Sequence, residues 1–273
     1  MDELYEVYAL KYAERNSRTR SDSFLFDANP GAPHPMDYFL WVIRNERRTV
    51  VVDTGYDTAE GARRGRPILL DPAQCLTRFG VDPETVETVV VTHLHYDHAG
   101  SLDRFDKATF HLQAAEMAYV TGPCMCHDAL RMPFTADHVC ALIRKVYSGR
   151  VVFHEGAGLI APGIEVHAIG GHTRGLQCVR VRTARGWLVL ASDASHFYEN
   201  YLFGKVFPIV ENAQAMLDGF RRLPELASAG DLIVPGHDPL VRQVFPEIAA
   251  DANGAAVHRL DVAPPMPPDQ LLR

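Results

Sequence analysis

Thr92-His93-Leu94-His95-Tyr96-Asp97-His98-Ala99-Gly100 packs three imidazoles and one carboxylate into positions 93 to 98. A core strand or an ordinary amphipathic helix has no use for that composition. Imidazole and carboxylate are the ligands that borderline divalent cations such as zinc prefer. Two cations held close together need about this many donors from one turn of chain, and more from elsewhere.

The rest of the chain supplies candidates. His172 stands in Gly170-Gly171-His172-Thr173, Asp193 in Leu190-Ala191-Ser192-Asp193, and His237 in Val234-Pro235-Gly236-His237-Asp238. The opening motif and each of these three follow an apolar, β-branched run: Val86 to Val91, Ile164 to Ile169, Trp187 to Leu190 and Leu232 to Val234. Such runs read as buried strands. The candidates therefore sit where strands end and loops begin, the edge at which an α/β sheet presents chemistry.

The motif HxHxDH, followed by His172, Asp193 and His237 in that order, resembles the dinuclear signature of the metallo-β-lactamase superfamily. Val50-Val51-Val52-Asp53-Thr54-Gly55 matches the strand and turn before it, so the resemblance runs from about Asp53 to His237. It implies an α/β fold, the four-layer αβ/βα sandwich. It also implies that His93, His95 and His172 hold one metal, that Asp97, His98 and His237 hold a second, and that Asp193 bridges them. Two Zn2+ ions are the expected cofactor, because redox-active diiron relatives carry glutamate where this chain has His95. A hydroxide held between the metals would attack a carbonyl carbon, with Asp97 orienting it.

The segment Ser192-Asp193-Ala194-Ser195-His196-Phe197-Tyr198-Glu199-Asn200 is similar to the quorum-quenching N-acyl homoserine lactonases, whose Asp-Ala-Ser-Tyr run supplies a catalytic tyrosine. Here His196 takes the tyrosine's place and Tyr198 stands two residues on. Either can serve as the catalytic acid, His196 as an imidazolium, and either can be a packing residue. The expected reaction is hydrolysis of a small-molecule lactone, an N-acyl homoserine lactone first. A glyoxalase II-like thioesterase, or a hydrolase of another small lactone or ester, is the alternative. A mononuclear iron, persulfide dioxygenase-like enzyme and a non-catalytic member of the fold remain as further readings. All seven expected ligands are present, which argues against the last.

The chain has 273 residues, 47% of them apolar, enough for one catalytic domain over residues 1–261. The tail 262–273 is proline-rich, and its stretch Val262 to Pro268 is expected to hold no helix and little order. Residues 121–150 read as an insertion over the active-site side; Met125, Leu130, Met132 and Phe134 could form an acyl-chain wall, a homodimer contact or plain core. The net charge of −7 and the lack of a long basic run argue against nucleic acid. Arg44 to Arg48 and Arg63-Arg64-Gly65-Arg66 read as solvated turns. The acidic start and the absence of a long apolar stretch predict neither a signal peptide nor a membrane span. Five cysteines, few and odd in number, fit free thiols in a reducing, cytoplasmic setting. His34 lies in an early loop within reach of the site mouth.

Overall fold

The computed structural model describes residues 3–272. Thirteen strands are formed: β1 (Glu6–Arg15), β2 (Met36–Arg44), β3 (Thr49–Val52), β4 (Thr88–Val90), β5 (Thr109–Gln113), β6 (Val151–His154), β7 (Ala157–Ala161), β8 (Ile164–Ala168), β9 (Gln177–Thr183), β10 (Gly186–Ser192), β11 (Ile233–Pro235), β12 (Glu247–Ala250) and β13 (Ala256–Arg259). They make an eight-stranded sheet, β12-β13-β1-β2-β3-β4-β5-β6, and a five-stranded sheet, β11-β10-β9-β8-β7.

The period-2 pattern sorts side chains into layers. Val7, Ala9, Phe39, Trp41, Ile43, Val50 and Val52 of the larger sheet pack against Ile164, Val166, Val179, Val181, Leu188 and Leu190 of the smaller one. Tyr8, Leu10, Tyr12, Leu40, Val42 and Val51 face the other way, onto Leu76, Val139 and Leu142 of the outer helices. Behind the second sheet, Cys178, Val189 and Ala191 meet Leu223 and Leu226 of the helix Ala213–Leu226. The result is helix, sheet, sheet, helix, the expected four-layer sandwich. Each fully buried aliphatic side chain contributes about 2 kcal/mol.

The first strand runs to Arg15, beyond the apolar stretch that marks it, because Lys11 is buried and finds carboxylates at Glu14 and Asp37. The hairpin β12–β13 escapes sequence reading because Glu247–Ala250 is exposed throughout and shows no alternation. The proline-rich stretch holds no helix from Val262 to Pro267, and a turn begins only at its last proline. Pro268–Leu271 forms a helical turn with proline at its first position, where a missing N–H costs nothing. Leu272 packs against the inter-sheet core. In the expected insertion, the helix Ala136–Tyr147 forms as its periodicity implies. All five cysteines are free thiols, and no helix among the described residues is long and apolar enough to cross a membrane.

Candidate metal centre

The loops after β4, β8, β10 and β11 converge on one point between the sheets. His93, His95, His172 and Asp193 form one buried group, and Asp97, His98 and His237 form another, with the donor atoms of each group within 4.8 Å of one another. Asp193 stands between them. Its Oδ2 lies 3.1 Å from His172 Nε2 and 3.7 Å from His93 Nε2. Its Oδ1 lies 3.0 Å from His237 Nε2 and 3.3 Å from His98 Nε2.

The far nitrogens of the rings are pinned, which fixes the direction of the near ones. His98 Nδ1 is 2.7 Å from Asp53 Oδ2. His172 Nδ1 and His237 Nδ1 lie 2.7 Å from the Ile209 carbonyl and 2.8 Å from the Asp37 carbonyl. Thr92 ties the two sheets together under the centre: its hydroxyl donates to Asp53 Oδ2 at 2.8 Å and meets the Ser192 hydroxyl at 2.9 Å. Asp53 and Ser192 both have left-handed backbone, with φ of 60° and 48°. Such conformations persist where surrounding contacts over-determine them, commonly at active sites. Glu116 binds the motif to the His172 loop, accepting from Leu94 N, Gly175 N and the Thr173 hydroxyl. Gly171 (φ +88°) allows Met216 to approach, since a Cβ there would sit 2.5 Å from the Met216 backbone. A Cβ at Gly236 would sit 2.9 Å from Asp193 Oδ1.

The donor set fits metal ions. His93 Nε2, His98 Nε2 and Asp193 Oδ1 are buried and make no hydrogen bond, an arrangement that is costly unless a cation satisfies them. Burial, with neighbouring imidazoles, pushes His93 and His95 well below the usual histidine range, so they are neutral and have lone pairs to give. His98 goes the other way: burial opposes its charge, but Asp193, Asp53 and Asp97 together outweigh it.

A cavity of about 330 Å³ opens over this centre, lined by His95, Asp97, His172, Asp193, His196 and His237. Arg15, Arg18, Arg66, Tyr38 and Tyr96 line it as well. Arg66 corrects the solvated-turn expectation for the 63–66 run. Arg63 and Arg64 do pair with Glu60 near the surface, but Arg66 turns inward and its Nη1 donates to the Tyr96 hydroxyl. From the insertion, Pro133 lines the cavity and Phe134 packs on the His95 ring at 4.5 Å. Met132 is exposed.

The two candidates for the catalytic acid separate. His196 is brought into the cavity, stacked on Phe207 with ring centroids 3.4 Å apart and Nε2 2.9 Å from Asp193 Oδ2. Burial lowers its pKa to about 3 despite Asp193, so its surroundings favour the neutral ring over the imidazolium. Tyr198 is not brought to the cavity. Its ring lies in the inter-sheet core and its hydroxyl is buried without a partner. The reason is the helix Tyr198–Phe203, which starts at that residue and turns it inward. His34 stops short as well, held by Ser23 and by the rings of Phe24 and Phe197.

Residues 37–243 match the model of the metallo-beta-lactamase superfamily. The chain belongs to that superfamily. An N-acyl homoserine lactonase of a Bacillus species is 27% identical over 237 residues, covering 80% of this chain and 89% of the relative. The crystal structure of a quorum-quenching N-acyl homoserine lactone lactonase superimposes with a TM-score of 0.73 at 20% identity, over 89% of this chain and 96% of that one. AidC, a dizinc quorum-quenching lactonase in complex with a product, gives 0.71 at 14% identity, over 96% of each chain. Family and relatives bear out the expectation of a metal-dependent hydrolase.

Within this superfamily member, sequence reasoning missed the arginine and tyrosine part of the cavity wall. Arg18 and Tyr38 carry no motif, and Arg66 sits in a run that reads as surface. The one available signal was Tyr96, which lies inside the histidine motif itself.

Proposed function

We propose that this protein is a dizinc lactonase, with N-acyl homoserine lactones as the first candidate substrates. The observation that carries the reading is the placement of the two Asp193 oxygens, one toward each ligand group, in a chain whose relatives named for lactone hydrolysis cover most of its length. Nitrogen and oxygen donors without thiolate suit zinc. His93, His95 and His172 would hold one ion, Asp97, His98 and His237 the other, and Asp193 both. When bound, the two ions supply Lewis acidity toward the ester carbonyl and an activated water at neutral pH.

The chain's own groups do the rest. His196 donates toward Asp193 Oδ2 and, clamped on Phe207, keeps that carboxylate in place. Asp97 lines the cavity beside the ligand groups and would orient the nucleophile. Burial raises the phenols of Tyr38 and Tyr96, so both are protonated at neutral pH. Tyr96 donates to the Tyr38 hydroxyl at 3.3 Å, leaving the Tyr38 proton for the leaving alkoxide. Five free thiols support a cytoplasmic setting.

A glyoxalase II-like thioesterase gains one observation, the arginines of the cavity wall, which suit an anionic thiol carrier. One experiment separates the two. Zinc-loaded protein is given N-acyl homoserine lactones, simple γ- and δ-lactones and S-lactoylglutathione, with turnover read by proton release and metal content by elemental analysis. Selective lactone opening at two zinc ions per chain supports the reading. Thioester cleavage with inert lactones replaces it.

A further inference from the structure

The wall of the cavity over the metal centre includes three arginines, Arg15, Arg18 and Arg66. Among the described residues none of the three has a carboxylate within 4 Å. Other arginines of this chain do find one: Arg20 pairs with Asp27 and Glu199, Arg64 with Glu60, and Arg242 with Asp37.

Arg18 is the decisive case. It is 4% exposed, and its Nε has no hydrogen-bond partner. Nη1 rests 3.1 Å from Met36 Sδ, and Nη2 reaches only the Asp22 carbonyl. The rings of Phe207 and Phe197 flank it at 5.7 and 5.9 Å. Burial draws its pKa down to about 10, which leaves it charged at neutral pH. Asp22, the acidic group nearest on this wall, spends its Oδ2 on the backbone N–H and hydroxyl of Thr19, at 2.8 and 3.2 Å. A buried guanidinium without a counter-ion is costly to keep. The cavity lining also holds Asp22, Asp97 and Asp193, but Asp97 and Asp193 belong to the two ligand groups and Asp22 is engaged by Thr19, so the buried Arg18 and the half-buried Arg15 and Arg66 keep positive charge free to attract an anion.

We propose that this wall recognises an oxyanion, a carboxylate or phosphate ester, carried by the substrate beside its scissile carbonyl. The preferred lactone is then a compact anionic one, a refinement that rests on the lactone-opening reading above. The planar fork of arginine matches such groups. A cavity of about 330 Å³ is at the small end of ligand sites, about 300–1,000 Å³, and leaves little room for a long acyl chain.

The test uses matched lactones on zinc-loaded enzyme: 5-oxotetrahydrofuran-3-carboxylate against its uncharged carboxamide, and 6-phosphogluconolactone against gluconolactone. We expect kcat/KM to favour an anionic member by about tenfold or more, less so at high salt. Arg15→Gln and Arg66→Gln, both half-buried positions chosen to spare the fold, should collapse that ratio through KM with two zinc ions retained. Preference within the first pair names a carboxylate, and within the second a phosphate. If uncharged lactones are opened as well as or better than anionic ones, the oxyanion inference falls and the lactonase stands. If no lactone is opened, the lactonase falls and calorimetry decides the wall. Binding of the carboxylate but not the carboxamide, lost in Arg66→Gln, sustains the inference; no difference between the two overturns it.

Discussion

The two faces of the cavity are built on opposite plans. On the metal-facing floor most polar groups have a fixed partner: Asp53 holds His98, backbone carbonyls hold His172 and His237, and Asp193 answers both ligand groups. Along the arginine-bearing part of the wall no guanidinium of Arg15, Arg18 or Arg66 has a carboxylate within 4 Å, and the buried Arg18 Nε has no hydrogen-bond partner. The difference separates two tasks. Donors that must hold metal ions are oriented in advance by a surrounding shell. Donors that must capture a ligand keep their valences open until it arrives.

Removing a floor group should therefore cost chemistry, and removing a wall arginine should cost recognition. The largest effect is expected for Asp193→Ala, with loss of activity of about a thousandfold or more and less than two zinc ions per chain by elemental analysis. Normal turnover in that variant would break the dinuclear account of the floor. Asp53→Asn comes next. It keeps the left-handed backbone that asparagine tolerates but weakens the hold on His98 Nδ1. Zinc affinity should drop about 10- to 100-fold in a chelator competition, and an unchanged affinity would show that the His98 ring is held by packing alone.

Tyr198→Phe tests whether the core side chain belongs to the cavity at all. Its hydroxyl is buried and unpartnered, so deletion should leave kcat/KM within about twofold and raise stability by about 1 kcal/mol in urea denaturation. A large drop in kcat would return this residue to the catalytic machinery. The smallest effect concerns His111, whose pKa burial lowers to about 4, with the neighbouring His154 adding to it. Its folded pKa lies below the unfolded value of 6.5, so the unfolded chain binds the extra proton between the two and stability falls as pH drops from about 6.5 toward 4. His111→Asn should shallow that fall slightly in melting curves taken from pH 7 to 5, with no change at pH 8. An identical slope would mean that His111 is not a titrating contributor.

How far each face could be read from the chain follows from how it is encoded. The floor is local in sequence: His93 to His98 fall within one turn, and His172, Asp193 and His237 each follow an apolar β-branched run. Strand ends in an α/β sheet gather at one edge, so ligand chemistry plus strand periodicity was enough to nominate the candidates, and the resemblance those residues carry supplied the layered fold. The outcome for His196 and Tyr198 shows where such reading stops. Spacing cannot tell which of two loop residues faces a cavity. The answer came from the helix that begins at Tyr198 and sends its ring between the sheets.

The sequence alone determined the strand runs and the donor types, because periodicity and donor chemistry are written into consecutive residues, and through the family resemblance those residues carry it implied the α/β layering and the hydrolytic class. Only the tertiary structure decided the pinned ring orientations, the division of Asp193 between two groups, and the wall of Arg15, Arg18 and Arg66. Those depend on which distant segments are brought face to face, and on whether a charge, once buried there, finds a partner. No spacing of residues along the chain encodes that.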